Sequence, residues 1–192
     1  MNNLPVGILL AAGQSRRFGH NKLLHPVDDD TLMFLVTAKK LVRVLPGSIT
    51  VINPSLMPYT QQLEQLGMRV VVNAQAQRGM GNSIACGVRA SQDAGGWLIA
   101  LADMPYVKTE TITQLSNRLR EGAHIVAPLY EKQRGHPVGF NQRYKDDLLA
   151  LNDDVGARHI IARHQDQLEL ISTRDAGVIK DIDQVSDICA WH

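Results

Sequence analysis

The unbroken apolar run over residues 6–12, followed at once by a loop of glycine, hydroxyl and basic residues, constrains this chain more than any other stretch. The run has strand length and no polar position on either alternating face, so it reads as a strand buried on both sides, as in a parallel sheet. Such a strand delivers its loop to the carboxyl edge of the sheet, where open α/β folds bind ligands. In the loop Gly13-Gln14-Ser15-Arg16-Arg17-Phe18-Gly19-His20-Asn21-Lys22, the two glycines permit positive φ and close backbone approach. Successive N–H groups can then converge on an anion, and Arg16, Arg17 and Lys22 bring fixed charge to the same place. These are the residue types of a phosphate-binding loop; the plainer alternative is a basic, solvated strand-to-helix turn.

The spacing fits neither of two common phosphate motifs. A Walker loop requires Lys and Ser/Thr directly after its second glycine, whereas Lys22 lies three residues beyond Gly19 and no hydroxyl follows it. A dinucleotide fingerprint requires a third glycine, which is missing.

Apolar strand-like runs alternate with helix-like stretches along all 192 residues, without a repeat or linker. That alternation predicts βαβ units and an α/β fold, a Rossmann-like, mostly parallel sheet with helices on both faces, in one domain over 1–192. A helix follows Asp28-Asp29-Asp30, with Asp30 or Thr31 as its cap, and ends before Pro46-Gly47. Strands are expected at 49–52 and 68–72, with a helix between them over 56–66. Further strands are expected at 97–102 and 125–128, a helix at 109–120, a hairpin at 129–135, and last strands at 168–172 and 177–183.

Net charge bounds the partners. Twenty basic and nineteen acidic residues leave +1, so no global field holds the chain to nucleic acid or an anionic membrane, and any anion site is local. Cys86 and Cys189 make neither a disulfide framework nor a zinc site. The amino terminus has no basic segment before its apolar run, which is too short for a signal sequence or a membrane span, so a cytoplasmic protein is expected.

Two further loops carry chemistry. Gly79-Met80-Gly81-Asn82-Ser83 opens a helix running to about residue 94, and Asn82 and Ser83 both donate and accept hydrogen bonds, as a nucleobase edge requires. An Asn/Ser cap after a glycine turn is the alternative. Asp103 ends the buried strand at 97–102 and is fixed by Pro105, a placement suited to a divalent cation; helix capping is the rival use. Asp181 and Asp183 fall on one face if the last strand persists.

The pattern Leu-Ala-Ala-Gly-x-Ser-x-Arg-x-Gly-x-x-Lys at residues 10–22 resembles the signature of nucleotidyltransferases with a glycosyltransferase-A type fold, and within them the molybdenum cofactor cytidylyltransferases. Gly79-x-x-x-Ser83-x-x-x-Gly87, Asp103-Met104-Pro105, Gly135-His136-Pro137 and Asp154-x-Gly156-Ala157-Arg158 match later segments of that family in order. The last segment keeps Asp181, Asp183 and Asp187 but has Gln184-Val185 where the family has Thr-Pro, and Phe18 replaces a commoner methionine.

The resemblance implies a reaction: CTP and molybdenum-bound molybdopterin give the cytosine dinucleotide cofactor and pyrophosphate. It implies that Leu10, Ala11, Ala12 and Gly13 contact the nucleotide, that Gly79, Asn82 and Ser83 lie against base and ribose, and that Asp103 and Asp183 bind Mg2+. Pyrophosphate would leave toward Arg17 and Lys22, while His136 and Arg158 would face the acceptor, although a structural histidine and a surface arginine are equally ordinary readings. Cytosine over guanine rests on Ala12, where the related guanylyltransferases carry glycine. A molybdoenzyme or its chaperone is the partner such a protein implies. The alternatives are a different phosphorylated acceptor, such as a sugar or polyol phosphate, or a maturation factor that carries cofactor with little turnover.

Overall fold

The computed structural model describes residues 4–13, 21–28, 31–152, 154 and 156–189. The apolar run forms β1 (Pro5–Ala11), and beyond the first loop come a 3-10 turn (Lys22–Leu24), β2 (Pro26–Asp28), β3 (Thr31–Leu32) and α1 (Met33–Val44). Next in the chain are β4 (Ile49–Ile52), α2 (Thr60–Gln65), β5 (Arg69–Val72), α3 (Met80–Arg89), β6 (Gly96–Leu101) and α4 (Thr109–Arg120). The remainder supplies β7 (Ile125–Tyr130), β8 (Gln133–Arg134), β9 (Val138–Asn141), α5 (Lys145–Leu149), α6 (Arg158–Arg163), β10 (Leu168–Ser172) and α7 (Val185–Cys189).

The strands order as β10-β7-β9-β6-β1-β4-β5, with β8 hairpinned onto β7. β1 pairs in parallel with β4 and β6, β4 with β5, and β10 with β7, whereas β9 runs antiparallel to β6 and β7. The sheet is therefore mixed but mostly parallel. Helices cover both faces because the central strands are apolar on both. Leu9 and Ala11 of β1 join one core with Leu41 of α1 and Leu115 of α4, and Ile8 and Leu10 join the other with Ile84 of α3 and Ile160 of α6. Close packing at α3 requires a glycine: a Cβ at Gly87 would lie 2.6 Å from Ile8 Cγ2. Among the described residues no helix is long and apolar enough to cross a membrane.

The chain leaves β1 toward β4 and β5 on one side and returns with β6 on the other, so the carboxyl ends of β1 and β6 meet at a topological switch point. The loop that follows β1 and Asp103 that follows β6 emerge there.

Three expectations change. Thr31 does not cap α1: it pairs with Asp28 in a two-stranded ribbon, Leu32 is the N-cap residue and makes no side-chain cap bond, and Asp30 lies outside the described residues. The helix expected to run to about residue 94 ends at Arg89; it begins at Met80, after Gly79 makes the turn with φ 113°. Residues 177–183 do not form a strand. Asp175 accepts from Gly177 N and caps a 3-10 turn, Ala176–Ile179, and the chain then crosses beside β6, where Ile182 N donates to Asp103 O at 2.9 Å. Isolated backbone bonds, this one and that from His136 N to Val178 O at 2.8 Å, replace the ladder that alternation suggested.

Candidate active site

Lys22, Asp103 and Asp183 meet in space from three distant parts of the chain. Lys22 Nζ lies 2.8 Å from Asp103 Oδ2 and 2.8 Å from Asp183 Oδ1. The lysine side chain is only 13% exposed, against 23% and 47% for the carboxylates, so this is a partly desolvated cluster rather than a surface pair. Burial alone would lower the Lys22 pKa; the charge and hydrogen bond of Asp103, with those of Asp183, outweigh it and hold the ammonium above its ordinary value.

Each member is placed by its own local bonds. Asn21 caps the 3-10 turn by accepting from Leu23 N at 3.2 Å, and buried Leu23 fixes that turn to the core. Asp103 follows Ala102, whose N–H donates to Leu10 O and whose carbonyl accepts from Thr37 Oγ1 of α1. The helix-capping use of Asp103 is not realised: α4 starts at Thr109, and its end is held by Asp175, which accepts from Lys108 N and Thr111 Oγ1. Asp183 is set by Asp187, whose Oδ2 accepts from the N–H groups of Asp183 and Gln184 at 2.9 and 2.8 Å. That cap makes the turn without the proline absent from Gln184-Val185.

Lys22 and Asp103 line a cleft of about 390 Å³ together with Leu10, Ala12, Gly13, Gly79, Met80 and Ser83, and Asp183 joins them through its contact with Lys22. Gly13 does not use the positive φ that glycine permits; among the described residues an added Cβ there would meet nothing within 4 Å, so the residue lines the cleft without filling it. Ala11 is fully buried and Asn82 is not on the wall, and Asn82 Oδ1 is buried without a partner among the described residues. Arg16, Arg17, Gly19 and Asp153 lie outside the described residues.

A second cleft of about 390 Å³ shares Met80, Leu101 and Asp154 with the first. Its floor is apolar, with Ile84, Ile99, Val138, Phe140 and Ile161, and its polar groups include Arg134, His136 and Arg158. Burial lowers the His136 pKa, as do Arg134 and Arg158, against a smaller opposite pull from Asp103; the imidazole is neutral near pH 7. Its Nδ1 is buried without a partner among the described residues.

Sequence reasoning missed the residues that hold the loops. Asn53 Nδ2 donates to the carbonyls of Ala12 and Gly13, at 3.3 Å each, and Asn73 Nδ2 donates to Ser83 Oγ at 3.0 Å. Both asparagines end parallel strands, β4 and β5, directly beside the loops they bind. An asparagine closing a parallel strand was the available signal. Arg134 was missed because an arginine at a hairpin's end looks like surface charge.

A profile of the MobA-like NTP transferase domain matches residues 7–168. The chain belongs to the MobA-like NTP transferase family. Among curated relatives, the purine catabolism protein PucB of Bacillus subtilis is 30% identical over 93% of this chain and 91% of its own. Nicotine blue oxidoreductase of Paenarthrobacter nicotinovorans is 27% identical over 95% of this chain and 94% of its own. A probable molybdenum cofactor guanylyltransferase of Geobacillus is 28% identical over 62% and 60%. Among solved structures, the Rv0371c homologue from Mycobacterium sp. strain JC1 superposes with a TM-score of 0.83 at 26% identity, covering 100% of this chain and 96% of that one. Rv0371c of Mycobacterium tuberculosis, solved in complex with manganese, gives 0.77 at 21% identity over 97% of each chain, a likeness of fold. This chain is thus a member of a nucleotidyltransferase family and shares its fold with the solved structures.

Proposed function

We propose that the chain transfers CMP from CTP to the phosphate of molybdenum-bound molybdopterin and releases pyrophosphate. The convergence of Lys22 with Asp103 and Asp183 at the switch point carries this reading, because a triphosphate needs both a cationic donor and carboxylates in one place. The carboxylate oxygens are hard donors converging on one positive group, which suits Mg2+ or Mn2+, and the manganese complex of Rv0371c supports a divalent cation. Bound there, the cation would be held by Asp103 and Asp183 and would offset charge on the transferring and leaving oxygens.

The other steps belong to the protein's own groups. Gly13 and Ser83 leave room for ribose and phosphate along the first cleft, and Lys22, with Arg17 of the same loop, stabilises charge on the departing pyrophosphate. Asn82, one position before Ser83, is the second base-edge group. The acceptor sits in the second cleft with its phosphate toward Arg158 and Arg134. An acceptor phosphate is already anionic near neutral pH, so no protein nucleophile is required, and the rate comes from alignment and charge stabilisation. The apolar floor at Ile99, Val138 and Phe140 favours a flat heterocyclic acceptor over a sugar or polyol phosphate, whose hydroxyls would lose hydration there. One catalytic domain working in the cytoplasm is part of the same proposal, with a molybdoenzyme or its chaperone as recipient.

Incubation of the protein with each of four nucleoside triphosphates and molybdenum-bound molybdopterin tests the reading. Pyrophosphate from CTP alone supports it; equal use of GTP removes the cytosine assignment, and no pyrophosphate from any triphosphate removes the transferase. The names of two relatives favour a second reading, in which the same clefts serve purine catabolism or redox chemistry without transfer. That reading requires nucleotide binding with no pyrophosphate.

A further inference from the structure

The carboxylates of Asp103 and Asp183 already hold a cation, and it belongs to the chain. Lys22 Nζ is at hydrogen-bond distance from both Asp103 and Asp183, on the oxygens a divalent ion would need. Among the described residues no group of three or more His, Cys, Asp or Glu is placed to hold a metal ion. The protein therefore offers two carboxylates where a hard cation takes six or more oxygens, and a triphosphate is the natural source of the others.

We propose that the Lys22 ammonium is the resident counter-charge of the Asp103–Asp183 pair, so that a divalent cation gains these carboxylates only together with a triphosphate that draws the ammonium away. The inference rests on the nucleotidyl-transfer reading and adds how the site is regulated. Two positive groups compete for the same pair of oxygens in this partly desolvated cluster, because their repulsion is less screened there than in open solvent. Metal alone must evict the lysine with nothing to receive it. Metal arriving with a triphosphate meets a lysine that exchanges two carboxylates for phosphate oxygens, and the charge lost on one side is regained on the other. Binding of the two ligands is then positively coupled, and by linkage each raises the affinity for the other equally. The free enzyme keeps its two carboxylates bridged and half neutralised by one ammonium, and does not sequester metal.

Binding of Mn2+ by the full chain, followed by loss of the free-ion electron paramagnetic resonance signal, tests this with and without a non-hydrolysable α,β-methylene CTP analogue. Wild type should bind Mn2+ weakly alone and about tenfold or more tightly with the analogue, whereas Lys22→Met should bind it about tenfold more tightly than wild type without nucleotide. Asp183→Asn in the Lys22→Met background should abolish that gain, which excludes adventitious surface sites. Equal Mn2+ affinity of wild type and Lys22→Met without nucleotide overturns the proposal. Uptake by neither protein under any condition overturns the metal assignment as well, so the two failures are distinct. Lys22→Gln, whose amide still donates to one carboxylate, replaces Lys22→Met if the latter does not fold.

Discussion

Asp183 reaches Lys22 because the segment before it lies directly on the backbone of Gly135, and Gly135→Ala tests that dependence. A Cβ at Gly135 would stand 2.2 Å from Val178 O, 2.7 Å from its carbonyl carbon and 2.9 Å from Val178 Cβ. An ordinary contact of 3.4 Å requires the two segments to part by about 1.2 Å. Val178 is buried, and its carbonyl accepts from His136 N at 2.8 Å, so the separation also breaks that bond. Overpacking costs about 1–3 kcal/mol and the lost bond about 1 kcal/mol. At about 2–4 °C per kcal/mol for a chain of this size, the melting temperature should fall by roughly 4–16 °C while the protein stays folded. Activity should fall further than stability. Asp183 follows Val178 by five residues, and a displacement near 1 Å at a reacting group costs about 10²-fold in rate. Steady-state pyrophosphate release and thermal melting of the same preparation read the two effects. Wild-type turnover and melting in Gly135→Ala would refute the idea that this contact positions Asp183.

Gly13→Ala should behave in the opposite way: its Cβ meets no atom of the described residues within 4 Å, so melting is unchanged, while nucleotide affinity drops because the methyl occupies the cleft. Calorimetric titration with CTP checks this. Asp175→Ala should destabilise by about 2–4 kcal/mol, since Lys108 N, Thr111 Oγ1 and Gly177 N all lose a buried acceptor, and denaturant unfolding gives the value. His136 confers a pH dependence of known sign. Its native pKa is lowered by burial, so the unfolded chain takes up the proton first; stability falls as pH drops below about 6.5 and levels off below the native value. His136→Gln should flatten that slope in unfolding measured between about pH 7.5 and 5.5. Lys22→Ala should lower turnover far more than stability, with pyrophosphate release and melting as the paired readouts.

The sheet was readable in the chain because burial on both faces leaves apolar residues throughout β1 and β6 and all but Thr50 apolar in β4, a pattern that needs no partner to interpret. The carboxylates were readable for a related reason: Asp103 is the first charge after a fully apolar strand. What the sequence hid was held by long-range bonds. Alternation over 177–183 looked like a strand, yet its inward residues Val178 and Ile182 pack beneath a 3-10 turn and a crossing loop. Asn53 and Asn73 gave no local sign of function because their amides act on loops forty and ten residues away. Arg134 draws its meaning from β8 lying beside the second cleft, a fact of hairpin geometry.

Transfer of label from CTP carrying 32P at its α-phosphate tests the central claim most directly, with wild type, Lys22→Ala, Asp103→Asn and Asp183→Asn compared under single-turnover conditions. The account predicts that label moves to molybdenum-bound molybdopterin with release of unlabelled pyrophosphate in wild type, and that each substitution slows this transfer by about two orders of magnitude or more. Label that stays on CTP in wild type, or transfer that survives the loss of all three side chains, would contradict it.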